Sequence, residues 1–218
     1  MGLFSWLFGK PSRVKSQDVI WLTGEARLNG AVRATNRHIA ANRSVLVLAH
    51  FPASLTVFGE QIIGRETPHA TIPTTLTAAA ALELANGPPR VLLGLVRNLQ
   101  PDEFPAPDSA PESPLPVLVL ERHFLRKHDD HVVRFAEGLG SKASVDFYIS
   151  LDDPLLSIFV GDWVKEMLRK LGMQPDETIN SPMVSRRIEQ AQAKIERETS
   201  SDVEAESASD WHERNRGR

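Results

Sequence analysis

The chain has 218 residues, 41% of them hydrophobic, with 25 Lys and Arg against 28 Asp and Glu for a formal net charge of -3. A chain this long buries roughly 70% of its unfolded surface in one sizeable core or two small ones; its composition is globular, and its charge balance leaves no bulk footprint for nucleic acid. Cys 0 removes disulfides, thiolate chemistry and Cys-based zinc sites, and no apolar run approaches the roughly 20 residues of a membrane span, so the sequence predicts a cytoplasmic protein.

Met1 to Lys10, MGLFSWLFGK, has neither a leading basic stretch nor a small-residue cleavage site, so it is not a signal sequence. Two readings stand side by side. Leu3, Phe4, Trp6, Leu7 and Phe8 can form a helical turn at a membrane surface, with Lys10, Arg13 and Lys15 toward anionic headgroups. The same residues can instead cap this protein's own core or that of a partner.

From Asp18 onward the hydrophobic period alternates. Val19 to Thr23 reads as a strand, and Gly24 to Asn42 as a helix with Ala26, Ala31, Ala34 and Ile39 on one face. Ser44 to Phe51, SVLVLAHF, is the near-continuous apolar run of a strand covered on both faces. The stretch after Pro52 predicts a helix with Leu55, Phe58 and Ile62 inward. Thr74 to Ala85 predicts an Ala-rich helix ended by Gly87-Pro88-Pro89, and Arg90 to Leu99 a third buried strand. Gln100 to Pro116 is too dense in Pro for a helix or a central strand and reads as a solvated insertion. Strands then recur at Pro116 to Arg122 and Val145 to Leu151, around a helix over Phe124 to Leu139.

Asp152-Asp153-Pro154 is a helix-start signal, Asp162 to Leu171 a short amphipathic helix closed by Gly172, and Asn180-Ser181-Pro182 the start of a last helix striped with Val184, Ile188, Ala191 and Ile195. The expected organisation is an amphipathic N-terminal segment (1–17), an α/β domain with a mainly parallel sheet (18–160) carrying the Pro-rich insertion (100–116), a helical extension (161–198), and a disordered acidic tail (199–218).

Recognisable catalytic signatures are missing. Gly9-Lys10 is followed by Pro11 and lacks the upstream glycine of a phosphate loop; no G-x-S-x-G elbow, H-E-x-x-H pair or dinucleotide fingerprint occurs. Glu121, His123, His128, Asp129, Asp130 and His131 gather after a buried-type strand, where open α/β sheets bind ligands. His123, His128 and His131 are the metal candidates there, although the spacing matches no specific metal motif. The alternative is a solvated sheet edge. The basic residues Arg122, Arg126, Lys127 and Arg134 are offset by neighbouring acids and lack interleaved aromatics, so no nucleic acid is expected as a partner.

The segment running from Glu121-Arg122-His123 resembles the protein-translocation ATPase family SecA, from the end of its second motor domain into its scaffold helix. The residues that carry this are Phe147-Tyr148-Ile149-Ser150-Leu151-Asp152-Asp153 with Leu155 to Phe159, then Leu171-Gly172-Met173, Asp176-Glu177 and Ser185 to Lys194. The resemblance implies a degenerate RecA-like, helicase C-terminal-type sheet flanked by helices. In the family, arginines ahead of the FYISL-like strand reach nucleotide phosphates. Here Arg134 matches the first, whereas Ala136 and Leu139 stand for later ones and cannot replace their charge-assisted bonds.

The resemblance therefore implies no ATP hydrolysis and no cofactor, and a protein-binding role accessory to preprotein targeting or translocation, with a translocase or ribosome-associated partner. Leu155, Leu156, Phe159, Val184, Ile188 and Ile195, which in the family pack against neighbouring domains, are the expected partner-binding residues. Arg134 and Lys142 are the candidates for the alternative, a nucleotide-binding regulator without hydrolysis. A peripheral membrane adaptor held by Leu3 to Phe8 is a further alternative.

Overall fold

A computed structural model describes residues 14–100, 115–140, 142–179 and 181–216. The membrane-contact candidates Leu3, Phe4, Trp6, Leu7 and Phe8 and nearly all of the Pro-rich insertion lie outside the described residues.

In chain order the elements are β1 (Lys15–Trp21), α1 (Gly24–Ala40), β2 (Val45–Ala49), α2 (Pro52–Ile63), β3 (His69–Thr71), β4 (Leu76–Thr77), α3 (Ala78–Ala85), β5 (Val91–Leu95), β6 (Leu99–Gln100), β7 (Val117–Val119), α4 (Arg126–Glu137), β8 (Ser144–Ser150), α5 (Pro154–Ser157), α6 (Asp162–Lys170), α7 (Pro182–Glu198) and α8 (Ala208–Arg216). The main sheet has the order β1-β8-β7-β2-β5-β3, and every neighbouring pair in it is parallel. The expected α/β architecture with a parallel sheet flanked by helices is what the chain adopts.

Period-two alternation sorts the central strands between two cores. Leu46 and Leu48 of β2 face one layer with Val132, Phe135 and Ala136 of α4 and Ala78 and Ala81 of α3. Val45, Val47 and Ala49 face the other, with Ala31 and Ala34 of α1 and Phe58 and Ile62 of α2. A strand buried on both faces has no polar side to show, which is why β2 reads as an unbroken apolar run. Helix α1 comes close to the sheet edge because Gly30 lies over the Trp21 ring, where a Cβ would overlap it; Trp21 in turn stacks on Tyr148 at 5.2 Å.

Several boundaries differ from the sequence reading. The helix expected from Thr74 starts only at Ala78, where the Thr77 hydroxyl accepts the Ala80 N–H. The strand expected through Leu99 stops at Leu95 and continues as a 3-10 turn over Val96–Asn98.

A larger correction concerns the acidic tail, which is not disordered over its described part. Residues 208–216 form α8, and Trp211 is only 1% exposed. A third core, across the C-terminal ends of the strands, joins Ile20, Phe51, Phe124 and Ile149 to Leu155, Leu156, Ile188, Ile195, Ala205 and Trp211. One large aromatic is enough to anchor a segment that is otherwise polar. Charged residues do local work there: the Ser207 hydroxyl accepts the Asp210 N–H at 3.2 Å, and the Asp210 carboxylate accepts the Glu206 N–H at 3.0 Å. Among the described residues no helix is long and apolar enough to cross a membrane.

Candidate functional site

The polar cluster named from sequence forms at the C-terminal ends of β2 and β7, the end of an open parallel sheet where ligands are usually held. Glu121 turns inward after β7, and its Oε1 accepts the backbone N–H groups of His50 and Phe51 at 2.6 and 3.3 Å. Its carboxylate thus sits at the start of α2, where the helix dipole favours negative charge. Arg122 donates from Nε to Asp18 Oδ1 at 2.9 Å and from Nη1 to Asp129 Oδ2 at 3.3 Å, while its guanidinium lies 3.6 Å from the Phe147 ring centroid.

Asp129 is the centre of this net. It belongs to the first turn of α4, yet it points inward and is 1% exposed. Its Oδ1 accepts the His123 N–H at 3.1 Å and lies 2.9 Å from His50 Nε2. Its Oδ2 accepts Gln192 Nε2 from α7 at 2.6 Å. Burial pushes this carboxyl up, but Arg122 and His50 together with the His123 N–H outweigh it and hold Asp129 at about 2.

The histidines separate into different tasks. His123 is buried, and burial first, then His50 and His128, push it well below the ordinary imidazole value. Its Nδ1 accepts the Leu125 N–H at 3.0 Å, so the neutral ring carries its proton on Nε2. His128 Nε2 lies 2.8 Å from Asp202 Oδ2, and its ring centroid is 4.0 Å from that of His123. His131 is not part of the group: its Nε2 lies 3.0 Å from the Leu99 carbonyl, tying α4 to β6.

Asp202, which no local sequence pattern singles out, takes the place expected of His131. One donor atom from each of His123, His128 and Asp202 lies within 4.8 Å of the others. The protons are nevertheless already assigned. Leu125 occupies His123 Nδ1, Lys127 Nζ lies 2.6 Å from Asp202 Oδ2, and Trp211 Nε1 donates to Asp202 Oδ1 at 3.0 Å. Burial raises the Asp202 carboxyl, but Lys127, His128 and Trp211 lower it by more. Asp202 is thus the hub of a set of hydrogen bonds and ion pairs, and His123, whose Nδ1 accepts the Leu125 N–H, presents a protonated Nε2 rather than a free ligand nitrogen when its ring is neutral.

Other sequence candidates fall elsewhere. Arg134 and Lys142 are exposed at the opposite end of the sheet, in the last turn of α4 and just before β8. Between them, Ala136 and Leu139 are buried in the α3–α4 core. Leu155, Leu156, Ile188 and Ile195 are buried within this chain, and Phe159 and Val184, packed against them, are partly buried. Their surroundings come from Phe124, Ala205 and Trp211 of the same chain. Of the exposed large apolar residues, Val57, Ile63, Leu84 and Val203 are scattered over other elements, whereas Trp163 at 67%, Met167, Leu171 at 76%, Ile158 and Met183 belong to α6 or to the segments flanking it in the chain. Trp163, Met167 and Leu171 recur every four residues, while Val164 and Leu168 face the core.

Comparison with known proteins agrees with the C-terminal sequence pattern. Residues 109–176 match the SecA P-loop domain family. The protein translocase subunits SecA of Xanthomonas campestris pv. campestris (strain B100) and Xanthomonas axonopodis pv. citri (strain 306) are each 42% identical over 82 residues, 38% of this chain and 9% of theirs. Over that stretch the chain is SecA-like, and it spans about a tenth of the length of these relatives. Among solved structures, the C-terminal part of the Fun30 ATPase domain aligns with TM-score 0.41 and 10% identity over 77% of this chain and 54% of that one. The DEAD-box helicase Mss116 bound to ssRNA and UDP-BeF aligns with TM-score 0.43 and 13% identity over 82% and 35%.

Proposed function

We propose that this chain is a non-catalytic, SecA-like protein-interaction module, accessory to preprotein targeting or translocation. The observation that carries the reading is the burial of Ala136 and Leu139. In the stretch where the resembled family presents phosphate-facing arginines, this chain has built apolar core, and neither side chain can donate a hydrogen bond to a phosphate. Arg122, the best-placed cation of the Glu121-Arg122-His123 run, is committed to Asp18 and Asp129. The contact face is the exposed stripe of α6, where Trp163 and Leu171 leave apolar surface uncovered.

Crosslinking and mass spectrometry on the tagged chain, drawn from native extract with membranes retained, tests the reading. Crosslinks from the 158–183 region to translocation-channel or preprotein components support it. ATP turnover above a matched blank, abolished by Arg134→Ala, would overturn it.

A further inference from the structure

The C-terminal segment is attached by few buried groups. Residues 199–207 form neither helix nor strand, and α8 then lies over the C-terminal ends of the strands. The inward contacts are Trp211, stacked on Phe124 at 4.8 Å and edge-on to His123 at 5.2 Å, with Ala205 buried and Ala208 partly buried in the same core and the His212 ring 5.6 Å from that of Phe124. Polar contacts supply the remainder. Asp202 pairs with Lys127 at 2.6 Å and His128 at 2.8 Å, Arg97 with Glu204 at 3.1 Å, and Arg216 with Glu198 at 2.7 Å; the Glu206 carbonyl accepts the Ala53 N–H at 3.0 Å. Partly exposed ion pairs of this kind contribute little to holding a segment down. Segments with few buried contacts open locally before the whole fold does.

Beneath the segment is a cavity of about 230 Å3 lined by His50, Phe51, His123, His128 and Arg97. It occupies the strand-end crevice in which open α/β sheets take ligands. With the segment lifted, Lys127 and Arg97 lose their carboxylates, and the face of Phe124 is bared above Ile188 and Ile195.

We propose that residues 199–216 form a releasable strap, and that the crevice under it docks a segment of a partner protein carrying a carboxylate and an indole. The chain's own strap shows what the crevice recognises: a carboxylate between Lys127 and His128, and an indole against Phe124. This site shares no residue with the α6 stripe, so either can fail without the other.

The probe is a labelled synthetic peptide with the sequence of residues 199–216, followed by fluorescence anisotropy against the full-length chain. The Asp202→Ala/Trp211→Ala chain, with its strap weakened, binds the peptide at least tenfold more tightly than the unsubstituted chain, and adding Lys127→Glu removes the gain. Equal affinity for the two chains overturns the proposal. So does a concentration-dependent dimer of the unsubstituted chain by light scattering, which would assign the crevice to a second copy. Hydrogen exchange on the unsubstituted chain is the check that needs no variant. Amides of 208–216 exchange at least tenfold faster than those of 188–195; equal protection would mean the strap opens only with global unfolding, and the proposal fails.

Discussion

The side-chain nitrogen of Gln192 donates to the Asp129 carboxylate at 2.6 Å and to the His123 carbonyl at 2.8 Å, so one amide of α7 closes the buried polar net at the start of α4. Removing it leaves a buried carboxylate oxygen and a carbonyl each short of a donor, which costs about 1–3 kcal/mol. Gln192→Ala is therefore expected to lower the unfolding free energy by that amount, read as a lower denaturant midpoint with an unchanged m value. Asp129→Ala also takes the carboxylate from beside His50 and one of the two carboxylate partners of Arg122, and breaking a buried pair from one side costs about 3–5 kcal/mol. Chemical denaturation of both variants checks the order; an Asp129→Ala chain as stable as the parent would contradict this account of the cluster.

The Asp129 carboxyl also makes a pH prediction. Its folded value, about 2, lies below the ordinary aspartate value of 3.8 because Arg122 and His50 and the His123 N–H outweigh the effect of burial. A depressed carboxyl contributes stability that is fully present above its unfolded value and is lost as pH falls through the folded one. The contribution is on the order of 2 kcal/mol, so stability should decline between about pH 4 and pH 2. Asp129→Asn, compared with the parent by thermal melting across that range, is expected to flatten the decline.

How much of this was legible in the sequence depends on the reach of each interaction. The strands β2 and β5 were visible because burial on both faces leaves continuous apolar runs. Glu121, His123, His128 and Asp129 stood out because they are adjacent in the chain. Their partners did not: Gln192 reaches His123 across 69 residues and Asp202 reaches His128 across 74, and no local pattern encodes those meetings. The strap was misread because a composition count weighs its acids and serines but not the single Trp211 that anchors it. Ser207 and Asp210, at capping-box spacing, were the available sign that a helix starts there. Leu155, Leu156, Ile188 and Ile195, expected from sequence to meet a partner protein, pack in a core to which the strap contributes Ala205 and Trp211.

The Ser207 cap separates local from global stability. Loss of an N-cap hydroxyl costs about 0.5–2 kcal/mol of helix stability. Ser207→Ala is expected to speed amide exchange in 208–216 severalfold while leaving exchange in α1 and β2 unchanged. A uniform change across the molecule would show that α8 unfolds only with the whole.

Gly30 is a test of packing alone. Its Cα approaches Trp21 so closely that any Cβ overlaps the indole ring. Trp21 is held in place by its stack on Tyr148 and by α1 above it. Overpacking of this kind costs about 1–3 kcal/mol. Gly30→Ala, which would ordinarily favour a helix interior, is therefore expected to destabilise the chain and to shift the Trp fluorescence maximum.

His123 sets the behaviour at milder acidity. Burial, with His50 and His128 beside it, lowers its folded value well below the ordinary 6.5, against the opposing pull of Asp129 and Asp202. A histidine that is harder to protonate folded than unfolded makes the unfolded state the better proton binder once pH drops below about 6.5. Stability should thus be greatest above that value and fall as pH goes from about 7 to 5, with His128 and His38, both also lowered by burial first, adding to the slope. His123→Asn places a carbonyl oxygen where Nδ1 now accepts the Leu125 N–H, keeping that bond while removing the titration. Thermal melts at pH 5 and pH 7 are expected to differ less in His123→Asn than in the parent. An identical difference in the two would show that the buried imidazole is not what limits stability in acid.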